Sequence, residues 1–104
     1  MPEIKIARIR PGIRGIALTA KVVLKDEKRE VETRFGPAAV SWAILEDETG
    51  SIRLNLWREQ IDKVRVGDTI KLVNAFAKVY RDQMELNIGS DGRIEILEQG
   101  PRWK

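Results

Sequence analysis

The chain has 104 residues, 42% hydrophobic and 34% charged, with 19 Lys and Arg against 16 Asp and Glu, a formal charge of +3, and neither Cys nor His. That length holds one domain with an ordinary core, and the missing Cys and His exclude Cys-His and Ser-His nucleophiles, haem ligation and the usual zinc sites, so no catalysis, metal or cofactor is expected. No stretch approaches the ~20 apolar residues of a membrane span and the first ten residues alternate charge with isoleucine, so the expectation is an intracellular, cytoplasmic or nucleoid-associated protein, its Glu, Lys, Arg and Ile content resembling that of heat-loving organisms.

Period-2 alternation dominates from residue 10 to residue 97 and predicts antiparallel strands. The first runs over about 16–24, with Ile16, Leu18, Ala20, Val22 and Leu24 on one face. Residues 25–36 are densely charged, with only Val31 and Phe35 apolar, and read as a projecting loop or loose hairpin. A second strand follows over about 40–46. Asp47-Glu48-Thr49-Gly50 is a tight turn, and it pairs that strand with a third as a hairpin. On the third strand Ile52, Leu54 and Leu56 share one face, and Arg53, Asn55 and Trp57 the other. Ile61 and Val64, three apart, predict one or two helical turns within 58–66. The fourth strand, about 69–80, changes parity: Ile70 and Leu72 are apolar at even positions, then Val73, Ala75, Ala77 and Val79 at odd ones. A bulge near Leu72 would produce the switch and place Asn74, Phe76, Lys78 and Tyr80 on the opposite face. After a short turn at 81–83, Met84, Leu86 and Ile88 alternate with Glu85 and Asn87, Gly89 to Gly92 form a break, and Ile94 and Ile96 extend the last strand.

Five strands with a short helix between the third and fourth is the order of the OB-fold, an all-β Greek-key barrel, and an SH3-like barrel ranks second because it normally lacks that helix. The domain is expected over 1–98, with a short C-terminal tail over 99–104 whose last residues Arg102, Trp103 and Lys104 fray.

Fold does not give function, so the polar faces must. The sequence pI near 9.4 keeps an anionic partner in view. Arg53, Asn55 and Trp57 on the third strand and Asn74, Phe76, Lys78 and Tyr80 on the fourth make a surface of planes, cations and amides. Rings stack on bases of any sequence and Lys and Arg neutralise phosphates, which is what single-stranded nucleic acid requires. Asn55, Asn74 and Asn87 are candidates to bond base edges. Trp42 is a candidate whose face the pattern leaves open, because both parities around it are apolar. The charged loop mixes Lys25, Lys28, Arg29 and Arg34 with Asp26, Glu27, Glu30 and Glu32, which read as opposing phosphate attraction. Glu46, Asp47 and Glu48 read as a turn, since no calcium-loop pattern follows.

Arg10-Pro11, Asp47 to Gly50 with Ile52 to Trp57, Val66-Gly67-Asp68, Asn74-Ala75-Phe76 with Tyr80, and Leu86 to Gly89 occur in an order and spacing that resemble a known family. This is the simple single-OB-fold single-stranded DNA-binding proteins of archaea, related to human single-stranded DNA-binding protein one, over about 9–96. The resemblance implies that Trp57, Phe76 and Tyr80 stack on DNA bases and that Arg29 is the basic contact of the first long loop. Single-stranded DNA is the implied partner, in replication, repair or recombination. Family members often carry a long tail for protein partners, and with the sequence stopping at Lys104 recruitment through such a tail is not expected. An RNA-binding OB domain, or a protein-interaction subunit of a replication or repair assembly, stays open as an alternative.

Overall fold

The alternating stretches become strands in the computed structural model, which describes residues 2–101. They are β1 (Ile16–Lys25), β2 (Arg29–Thr33), β3 (Gly36–Asp47), β4 (Gly50–Trp57), β5 (Thr69–Tyr80) and β6 (Gln83–Glu98), with the helix α1 (Glu59–Lys63) between β4 and β5. Neighbours run β1-β5-β6-β4-β3, and a further β1–β3 pairing closes the ring. The β4–β6 pair is parallel and the others antiparallel. This is the expected OB barrel. The extra strand is β2, formed from the charged segment and lying outside the ring on β3.

The core takes one parity from each barrel strand save β5, which changes parity part-way, with Leu18, Val22, Leu45, Leu54, Leu56, Ile70, Leu72 and Leu86 all but fully buried. Ile61 and Val64 close the α1 end and Ile6 and Ile9 the opposite one, where Ile6–Arg8 forms a single 3₁₀ turn. The β3–β4 turn anchors that turn: Asp47 accepts from the Ile6 and Thr49 amides and the Thr49 hydroxyl at 2.6–3.0 Å. Burial opposes the Asp47 charge, but these bonds outweigh it and hold the carboxyl below its ordinary range. At the α1 end the Lys25 ammonium donates to the Ile61 carbonyl and, at 2.8 Å, to that of Val64. Burial pushes it below the usual lysine range, and its two bonds tie the end of β1 to the α1 segment.

Three local expectations are corrected. Leu24 does not share the core face, because a bulge after Val22 sets it opposite Ile44 and leaves it 48% exposed. Val79 is also 48% exposed: past Ala77, which bonds the backbone of Gly12 and Ile13, β5 is paired only with β6 and no core lies beneath it. Gly89 to Gly92 do not break the last strand. Instead β6 continues and loops outward there, since Val73 pairs with Arg93 and Ala75 already with Ile88.

That irregularity is the predicted parity switch, at Val73–Asn74, with Asn74 at φ +59°. Ile70 and Leu72 face the core before it, Ala75 and Ala77 after it. At the far end Gly100 donates to the buried Asp68 at 2.9 Å, and the expected fraying of Arg102 to Lys104 lies outside the described residues.

Candidate nucleic-acid interface

Residues directly opposite on paired strands share a face, so the register lays out the barrel's outer surface in rows. The first row is Arg29, Val40 and Trp57, on β2, β3 and β4. A second begins with Trp42 opposite Asn55 and ends with Asn87 opposite Phe76, Asn55 donating to Asn87 across the β4–β6 seam at 3.3 Å. The third is Ile44, Arg53, Glu85 and Lys78. Tyr80, opposite Gln83, lies at the hairpin end, 54% exposed, with the Arg81 guanidinium 5.3 Å from its ring centre.

The middle of this surface is a polar network. Asn55 donates to Glu85 at 2.8 Å, Arg53 Nε donates to Asn55 Oδ1 at 3.2 Å and lies 3.5 Å from Glu85 Oε2. The Arg53 guanidinium also sits 4.9 Å from the centre of the Trp42 ring, a cation–π contact. Trp42 is thereby placed on the outer face, half-buried. Asn87 Nδ2 is buried and has no hydrogen-bond partner among the described residues. Glu85, 5% exposed, is the member sequence reasoning missed. Its signal is non-local: only the parallel β4–β6 pairing brings it between Arg53 and Lys78. Glu85→Ala is expected to cost about 1–3 kcal/mol, because the half-buried Arg53 and Asn55 then lose the charged acceptor they share. Glu85→Gln, which retains an acceptor for Asn55, should recover much of it in thermal melts. An Ala variant melting like the parent would remove the network's structural role.

Trp57 and Phe76 each border the outward loop of β6 at Gly89 and Ser90. Trp57 lines a groove of about 390 Å³ with Gln60, Ile88, Gly89 and Ser90. Phe76 packs beside Gly89, where an added Cβ would lie 3.7 Å from its ring. On the other side of Phe76 a groove of about 410 Å³ is lined by Arg14, Asn74, Ser90 and Asp91. Asn74, at the bulge, donates to the Asp91 carbonyl at 3.3 Å. Lys78 and Arg29 are exposed. The candidates thus form one continuous surface from Arg29 to Phe76, with Tyr80 at its hairpin end.

The family described as single-stranded DNA binding protein Ssb-like, OB fold, has a sequence model that matches residues 9–96. The chain belongs to this family. It is 32% identical over 99 residues to single-stranded DNA binding protein Ssb of Saccharolobus solfataricus, covering 94% of this chain and 67% of that protein. It is 40% identical over 98 residues to replication factor A of Methanothermobacter thermautotrophicus, of which it spans only 12%. Among solved structures, the second OB-fold domain of replication protein A from Methanococcus maripaludis superposes with a TM-score of 0.78 at 27% identity, covering 97% of this chain and all of that domain. Family membership thus agrees with the barrel order.

Proposed function

We propose that this Ssb-like domain binds single-stranded DNA with little sequence preference and without catalysis, in the replication, repair or recombination of DNA inside the cell. Bases stack on Trp57, Phe76 and Tyr80, and phosphates are neutralised by Arg29 and Lys78 at the rim. Arg53, engaged by Glu85 and Trp42, serves mainly to hold the Trp42 ring as a further plane, and Asn55, Asn74 and Asn87 supply amides for base edges. The observation that carries this reading is the register: rings and cations from separated parts of the chain fall in adjacent rows of one outer face.

If Arg29, Lys78 and the further exposed cations of this face together neutralise about three to five phosphates, log affinity for oligo-dT should fall against log salt with a slope of roughly −2 to −3.5, at ~0.7 per contact. Duplex DNA of the same length should bind much more weakly, because pairing hides the base faces and α1 is only five residues long. A salt-independent affinity, or equal affinity for duplex, would overturn the mechanism. Oligo-U in place of oligo-dT tests the sugar: tighter binding to oligo-U would make RNA the ligand.

A further inference from the structure

The most exposed large apolar side chain among the described residues is Phe35, 86% exposed at the tip of the β2–β3 hairpin. This tip is built. The Thr33 hydroxyl donates to the Gly36 carbonyl at 2.7 Å and accepts from the Phe35 amide at 3.1 Å, closing the turn that presents Arg34 and Phe35. The hairpin also leaves the barrel. β4 pairing of β3 stops at Val40 opposite Trp57, and from there to Gly36 the register pairs β3 with β2. Phe35 precedes Val40 by five positions, so the tip lies ~16 Å beyond the Trp57 row at ~3.3 Å per strand residue.

The register also resolves the mixed charge of this segment. Arg29 and Val31 pair with Val40 and Ala38, the parity of the Trp57 row, whereas Glu30 and Glu32 pair with Ala39 and Pro37 and point to the other side. The arm therefore has a cationic and apolar front continuous with Trp57, and an acidic back. We infer that the arm is a second station on the path of the strand, with Phe35 stacking on an unpaired base and Arg29 and Arg34 carrying the phosphates between. This rests on the stacking reading above. A base is the occupant the surroundings favour: one ring next to Arg34, in line with a row that ends on a tryptophan, is a stacking platform and not a broad apolar patch.

The gap of ~16 Å takes up to about five nucleotides, at the ~3.4 Å per phosphate of a stacked strand and fewer when the strand is extended, so a strand must be longer than the stretch held on the Trp57–Tyr80 face to reach the arm. The experiment compares oligo-dT of about 4 and about 15 nucleotides on wild type, Phe35→Ala, Phe35→Trp and Trp57→Ala. Phe35→Ala is expected to weaken the long oligonucleotide by about fivefold or more and the short one by less than about twofold, with Phe35→Trp retaining long-strand affinity. Phe35 packs against nothing that a melt would register, so its variants should fold as the parent does. Unchanged long-strand affinity in Phe35→Ala, or equal loss at both lengths, overturns the second station. Trp57→Ala separates the two readings: if it binds both lengths as wild type does, the stacking mechanism itself fails, whereas loss there with none at Phe35 removes only the arm.

Discussion

Trp57→Ala and Phe76→Ala are each expected to weaken oligo-dT binding by about 1–3 kcal/mol, roughly 5- to 150-fold, while the protein stays folded at the temperature of the titration. Both rings are half-buried on the outer face, lining the two grooves that meet Gly89, and neither belongs to the core cluster. Truncation therefore removes a stacking plane without opening a cavity in the barrel. Core truncation behaves oppositely: Leu54→Ala, at a fully buried position on the same strand as Trp57, should lower stability by about 2–5 kcal/mol and leave the affinity of the folded fraction unchanged. Tyr80→Phe should retain most of the affinity, because stacking uses the ring. Thermal melts beside fluorescence titrations separate the two classes. Severe destabilisation by Phe76→Ala with normal binding of the folded fraction would move that ring from the site to the core.

Gly92→Ala is expected to damage both stability and binding. A Cβ at Gly92 would lie 2.8 Å from the Asn74 carbonyl oxygen and 2.9 Å from that of Val73, and backbone oxygens cannot swing aside as a side chain does. Forcing the β6 loop away from β5 should cost about 1–3 kcal/mol, with a fall in Tm of about 4–8 °C for each kcal/mol in a domain of this size. The same loop sits opposite the Asn74 bulge that turns Phe76 outward, so oligo-dT affinity should fall with stability. Gly89→Ala is the control for the fold, since its Cβ would make only an ordinary 3.7 Å contact with Phe76. Equal melting of Gly92→Ala and wild type would show that the bulge tolerates a side chain and does not depend on that close approach.

The residue pattern by itself determined the barrel and much of its face. Strict alternation over Ile52 to Trp57 separates core from surface because a strand has period 2, and the broken alternation after Leu72 announced the bulge that turns Phe76 and Lys78 outward, because a one-residue slip reverses every later side chain. The Asp47 to Gly50 turn is equally local, its carboxylate bonding the residue two further on. What depends on distant strands was decided only in the tertiary structure. Trp42 sits among apolar residues of both parities, and only its pairing with Asn55 puts it outside. Glu85 looks like one more solvated acid until the parallel β4–β6 seam buries it against Arg53 and Asn55. Val79 and Leu24 carry the apolar pattern of core residues, yet lie where the ladder loses its outer neighbour or slips by one. The charged segment reads as cancelling charges in one dimension; pairing with β3 sorts its acids and its Arg29 onto opposite sides, because strand register and not composition sets which side each residue faces.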